Sequence, residues 1–269
     1  MLGLQNHAAR HPCPFCMAKK EDGNWTGCEL LRTCDNISDN HNKWVLAGSI
    51  PNELKEKFFN CKNLPIIPCK AGNKDVPIFI LMAPPSLHLK LAFNDLLKQL
   101  GDKWEELSDW FKKHHISVEA YHGGCFEGNE VSKILSLLDD LQQDVPYEFQ
   151  DFVNCMLAFR NVVRYVLQSS AVETNYKEHI RHFGMTLDIL KTTFKVSETP
   201  KFHVIREHVA QFIDVVQRPL TLFSEQELES SHYRFWDIWD ERYKIKNTND
   251  PKYASLLKKA VIDMLYENL

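Results

Sequence analysis

Two pairs of side chains in this sequence, one of thiols and one of imidazoles, have the types and spacing of metal ligands. Cys13-Pro14-Phe15-Cys16 separates two thiols by two residues, a gap that lets both sulfurs reach one cation from a tight turn. Far downstream, His203 and His208 have four residues between them, inside the range of paired metal-binding imidazoles. On an ideal helix these two would diverge by about 140°. Pro200 puts His203 in a first turn, where that geometry relaxes. The apolar stripe of the segment is Phe202, Ile205, Val209, Phe212 and Ile213. Both histidines lie off it, which also fits two surface residues. A local alternative exists. Cys28 and Cys34 extend the first pair to Cys-x2-Cys-x11-Cys-x5-Cys, with His41 close behind, which would make a compact zinc ribbon. Spacing alone prefers this compact ribbon over a pair so far apart, and the residues by themselves do not settle the choice. A thioredoxin-like redox pair is disfavoured, because no β-α-β pattern surrounds the motif.

Two other clusters could do chemistry. Glu225, Glu227 and Glu229 follow Ser224 at the start of an expected helix. Carboxylates of this kind bind hard cations, and they equally complement a helix dipole without any chemistry. Lys112, Lys113, His114 and His115 form a basic run that could meet phosphate. Such a run also reads as a solvated helix end.

Elements able to position these groups follow from composition. The chain has 269 residues, 44% of them hydrophobic, with 16 Phe and 6 Trp, enough for a large core. A net charge of -4 argues against a free-standing basic nucleic-acid clamp and leaves local patches open. No apolar run is long enough to span a membrane, and MLGLQNHAARHPC lacks a signal core. The expectation is an intracellular protein with mostly reduced cysteines.

The first 75 residues read as irregular. PIFILM (77–82) reads as a short strand closed by Pro84 and Pro85. Beyond it the pattern is helical. Helices are expected over 86–100 with Ser86 as N-cap and Gly101 as stop, then over 103–115 and 127–143. A long helix opens at Pro146, with Phe149, Phe152, Val153, Met156, Phe159, Val163 and Val166 as one buried stripe. Others are expected over 173–195, 200–217, 224–243 and 251–267. The fold class is mainly α with few short strands. The divisions are an N-terminal segment (1–85), a helical middle (86–198) and a C-terminal part (199–269).

Five segments, in order, resemble one family. They are LGLQNHAARHPCPFC, APPSLHLKLAFNDLLKQL, YHGGCFEGNEVSKIL, PKFHVIREHV and LFSEQELESSHYRFW. Together they are similar to the RNase H-type DDE transposases of the Transib and CACTA-like groups, to which the catalytic subunit of the V(D)J recombinase is related. The resemblance implies that Cys13, Cys16, His203 and His208 share one structural zinc ion. Cys28 and Cys34 then become ordinary thiols. It implies a zinc-stabilised helical insertion followed by the final catalytic helix of an RNase H-like transposase, in the nucleus.

The family activity is DNA strand cleavage and transfer with Mg²⁺ or Mn²⁺ held by three carboxylates. The resemblance makes Glu225 the third of these, with Glu229 as the alternative. The family's first two aspartates lie upstream of the Cys-x-x-Cys, whereas Asp22, the first Asp here, follows it. The expectation is a chain inactive on its own, a fragment working with an upstream catalytic portion or a domesticated remnant. DNA and a second copy of the chain are the implied partners. His88, Asn94, Asn129, Arg242, Lys244 and Lys246 are the expected DNA-contact residues. The competing expectation is a helical protein-interaction domain with a structural zinc and no DNA activity.

Overall fold

The structure is a computed structural model that describes residues 10–65, 76–101, 103–116, 126, 128–224, 239–243, 252, 255–257 and 259. The chain falls into two compact units, Met1–Phe223 and Ser224–Leu269. Both boundaries expected from the sequence, after 85 and after 198, fall inside the first unit. Of the second unit, the described part includes one π-helical turn, Trp239–Tyr243. The positions of Glu225, Glu229, Lys244 and Lys246 lie outside the described residues.

The first unit opens with a two-stranded antiparallel hairpin, β1 (Lys19–Glu21) and β2 (Asn24–Thr26), which pairs Lys20 with Trp25. Its turn needs a positive φ at Gly23. Two helices follow in the stretch expected to be irregular, α1 (Cys34–Leu46) and α2 (Pro51–Glu56). Helix α1 is mostly polar, so its hydrophobic pattern is faint. It is started instead by a reciprocal capping box between Thr33 and Asn36 and docked by Cys34 and Ile37, both buried.

The expected strand over 77–82 is a helical turn, α3 (Ile78–Leu81). A short apolar run does not by itself distinguish strand from helix. Here the chain makes a single bridge from Pro77 to Thr33 and then coils. The helix expected over 86–100 is two, α4 (Ser86–Lys90) and α5 (Ala92–Leu97), and Pro85 rather than Ser86 takes the N-cap position. Gly101 does close this region, at φ +57°. Helices α6 (Lys103–Lys113), α7 (Gly128–Ser136) and α8 (Leu138–Asp144) follow.

The centre of the unit is a long helix. A 3₁₀ turn (Tyr147–Phe149) leads into α9 (Gln150–Val162), which continues as a π-helical turn (Val163–Leu167). All seven residues of its expected stripe are buried, and so are Cys155 and Ala158 beside it. A helix apolar over so wide an arc must be covered on more than one side. Helix α10 (Tyr176–Phe194) packs along it. Next comes a second interrupted helix: α11 (Pro200–Val204), a π-helical turn (Ile205–Val209) and α12 (Ala210–Val216). Phe159, Phe183 and Phe202 join α9, α10 and α11, with ring centroids 5.4–5.9 Å apart. A 3₁₀ turn (Leu220–Phe223) ends the unit. Among the described residues, no helix is long and apolar enough to cross a membrane.

Candidate metal centre

Cys13, Cys16, His203 and His208 converge. One potential ligand atom from each lies within 4.8 Å of all the others. Among the described residues this is the one such group of three or more side chains. None of the four side chains is more than 1% exposed. A closed tetrahedral site with metal–sulfur and metal–nitrogen bonds of about 2.3 and 2.0 Å would hold its ligand atoms about 3.3–3.8 Å apart. Cys16 Sγ and His203 Nε2 already stand 3.2 Å apart.

The two halves are built differently. On the thiol side, the chain turns back on itself at Pro14. The Phe15 N–H donates to Cys13 Sγ at 3.3 Å, which aims that sulfur inward. The turn is then tied to the next segment by Met17 N–H to the Leu30 carbonyl and Arg32 N–H to the Phe15 carbonyl, both at 2.8 Å. On the imidazole side, Thr199 caps the helix by accepting from the Phe202 N–H. The π-helical turn then solves the angular problem. Its i→i+5 register is the spacing of His203 and His208, so the wider turn brings onto one side two rings that an α-helix would splay. The ring centroids are 5.3 Å apart and nearly perpendicular. The alternative of two surface histidines is thereby corrected.

Three neighbours orient the donors. Trp25, from β2, stacks on His203 at 3.9 Å between centroids and 11° between planes. Its indole N–H donates to the Glu198 carbonyl at 3.2 Å, which fixes the ring in turn. His208 Nδ1–H donates to Gln211 Oε1 at 2.9 Å. That bond leaves the lone pair of His208 on Nε2, which is buried with no hydrogen-bond partner among the described residues. A buried, unpaired nitrogen lone pair facing two thiols is what a bound cation satisfies. Arg32 is the third neighbour. It is fully buried, and its Nε–H is shared between the carbonyls of Cys13 and Cys16, both at 2.9 Å. Its Nη2 reaches the carbonyls of His11 (3.2 Å) and Phe59 (3.0 Å).

The two thiols are pushed in opposite directions. Hydrogen bonding with Cys13, followed by burial, pushes Cys16 up to about 11. Burial also opposes ionisation of Cys13. The Cys16 thiol, the Phe15 and Cys16 main-chain N–H groups and the Arg32 charge outweigh it and hold Cys13 below the ordinary thiol range. A bound metal ion would require both sulfurs as thiolates and so would release their protons.

The rival ribbon does not form. Cys28 is outside the cluster, and burial pushes its thiol up to about 12. Cys34 is not an ordinary thiol, because it is disulfide-bonded. The helix carrying the imidazoles is held from outside by Arg206, which pairs with Asp188 (2.8 Å) and with the buried Glu198 (2.9 Å). Gly184 of α10 lies beside this guanidinium, where a Cβ would stand 3.4 Å from its Nε.

Of the other expected site residues, three fall on α4, α5 and α7. His88 on α4 and Asn129 on α7 are exposed, as is Arg242 in the second unit. Asn94 is buried, and both ends of its amide are committed to the Phe126 main chain, at 2.7 and 2.8 Å. That role is positional and holds the start of α7. In the basic run, Lys112 pairs with Asp109, and His114 stacks on Trp110 at 3.9 Å. His115 takes a positive φ as its helix ends. Comparison with protein-family models and with curated proteins finds no match to the chain.

Gln211, Trp25 and Arg32 are the site residues that sequence patterns did not reveal. Gln211→Ala should lower metal affinity roughly 10–100-fold while leaving stoichiometry at saturation unchanged, because it frees the His208 ring without removing a ligand. Competition against a chromophoric chelator measures this directly. An unchanged affinity would remove Gln211 from the site.

Proposed function

We propose that this chain is the zinc-stabilised helical part of a transposase-derived DNA-binding and DNA-processing protein of the RNase H-type DDE kind. One juxtaposition supports the reading. Two thiols near residue 15 and two imidazoles near residue 205 meet in a buried cluster, although local spacing favoured a ribbon among the nearer cysteines. The resemblance pairs a Cys-x-x-Cys with a distant His-x4-His in this way.

The donor set chooses the metal. Two thiolates and two neutral imidazoles suit Zn²⁺, while Mg²⁺ and Mn²⁺ prefer oxygen. With four protein ligands and full burial the role is structural rather than catalytic. In this reading the ion ties the N-terminal turn to the π-interrupted helix. Mg²⁺ or Mn²⁺ would serve only a complete carboxylate triad, to which Glu225 or Glu229 would contribute. DNA would be met by exposed residues such as His88, Asn129 and Arg242, with Lys244 and Lys246 following in sequence.

Two measurements on the purified chain test this. Zinc analysis should find one ion per chain, lost in His203→Ala/His208→Ala and kept in Cys28→Ser. A mobility shift with duplex DNA should show binding that weakens steeply as salt rises, the signature of phosphate contacts. Zinc without DNA binding at low salt would leave a helical protein-interaction domain in its place.

A further inference from the structure

Away from the metal cluster lies a cleft of about 300 Å³ between α7 and the helix that runs from α9 into its π-helical turn. One wall carries Ser132 and Ser136, four residues apart on α7. The other carries Arg160, Arg164 and Gln168, at successive steps of four. Each set therefore shares a helix face. Leu135 and Val163, both buried, line it between them.

Its charge is unbalanced. Arg160 gives its two terminal nitrogens to Asp139, at 2.8 and 3.2 Å. Its Nε is nevertheless buried with no hydrogen-bond partner among the described residues. Behind Ser132 stands Lys90, only 4% exposed. The Lys90 ammonium donates to the Ser132 hydroxyl, and no carboxylate pairs with it among the described residues. Burial accordingly lowers its pKa. Arg164 adds a third cation at the exposed mouth. Among the described residues, Asp139 is the one carboxylate paired with any of the three, through Arg160. A buried orphan donor and a buried unpaired ammonium are both costly, and an anion in the cleft relieves both.

We propose that this cleft binds a phosphate group. One helix presents Arg160, the Arg164 guanidinium and the Gln168 amide to it, and Lys90 of α4 supplies charge from behind Ser132. Two guanidinium groups on one wall, with serine hydroxyls on the other, suit an anion with several oxygens. The serine hydroxyls now turn back to carbonyls of their own helix, Gly128 and Lys133, and are free to rotate toward a ligand. The shared ligand chemistry is therefore a phosphate, whether free, on a nucleotide or within a strand, and the experiment distinguishes these sources. This inference stands on the cleft alone and does not depend on the transposase reading.

The full chain would be titrated with inorganic phosphate, with deoxyadenosine monophosphate and with a short single-stranded deoxyoligonucleotide. Calorimetry and the Arg160 Nε–H resonance would be followed. Saturable binding that shifts this resonance is expected, weakened about tenfold or more by Arg164→Glu. Arg164 is exposed, so the thermal midpoint of that variant should not move. If inorganic phosphate binds as well as the other two probes, the ligand is free phosphate. If the monophosphate binds as well as the oligonucleotide and better than inorganic phosphate, the ligand is a free nucleotide. If only the oligonucleotide binds, it is strand backbone. The proposal is overturned if no probe shifts the Arg160 resonance, or if Arg164→Glu binds every probe as the parent does.

Discussion

Cys13→Ser should abolish metal binding at the proposed zinc site and cost about 3–5 kcal/mol, the range for leaving a buried ionic cluster with one member missing. In a chain of this size that corresponds to a fall in thermal midpoint of about 10 °C. The reasoning starts from linkage: an ion that binds only the assembled site adds its binding free energy to folding. In small zinc-dependent domains the whole fold is lost with the metal. Here the Phe159–Phe183–Phe202 contacts join α9, α10 and α11 through rings that are not ligands themselves, although Phe202 precedes His203, and they need no ion to pack. Zinc loss should therefore release the turn and hairpin, residues 10–32, while α9 and α10 stay folded. Hydrogen exchange should rise across 10–32 and across 203–211, and stay protected in 150–162. His208→Ala should behave alike, and Cys28→Ser should not. A Cys13→Ser protein that kept one zinc ion and its thermal midpoint would exclude Cys13 as a ligand.

How much of this was legible beforehand follows from which signals are periodic. The stripe from Phe149 to Val166 is a strong 3.6-residue pattern, and every member is buried. Helix α1 has no such pattern, because it buries little beyond Cys34 and Ile37 and is held by its cap. The run PIFILM carried too few residues to separate strand from helix. The three π-helical turns of the described residues could not be anticipated, since an inserted residue per turn is a tertiary choice. One of them decided the metal centre. The same 203/208 spacing that diverges on an α-helix converges across Ile205–Val209.

The ligands were legible by residue type, but their partners were not. Trp25, Gln211 and Arg32 have no motif, and each acts through a contact distant in sequence or through a ring orientation. Asn94 shows the reverse error. A polar residue in a suggestive segment was expected to face DNA, and it instead clamps the Phe126 main chain. The cleft at Arg160 and Arg164 combines residues of two helices, and only their packing shows that Arg160 Nε is left without a partner.

Arg32→Met should be nearly as damaging as loss of a ligand, although Arg32 touches no metal. Its guanidinium hydrogen-bonds to four main-chain carbonyls, those of His11, Cys13, Cys16 and Phe59. Two of these belong to the ligand cysteines themselves. Methionine fills a similar volume and leaves all four without this donor. Each unsatisfied buried acceptor costs about 1–3 kcal/mol. Partial relaxation and water entry should hold the total to about 3–5 kcal/mol. Arg32→Lys keeps the charge but lacks the planar fork, so it can serve at most a subset of the carbonyls and should recover less than half of the loss. The comparison separates geometry from charge. If charge near the thiolates were what mattered, lysine would restore zinc affinity in a chelator competition. If the shape of the turn matters, both variants should bind zinc more weakly, and only Arg32 itself should restore the parent affinity. Equal stability and zinc affinity in Arg32→Met and the parent chain would mean that the Cys13–Cys16 turn holds its shape unaided.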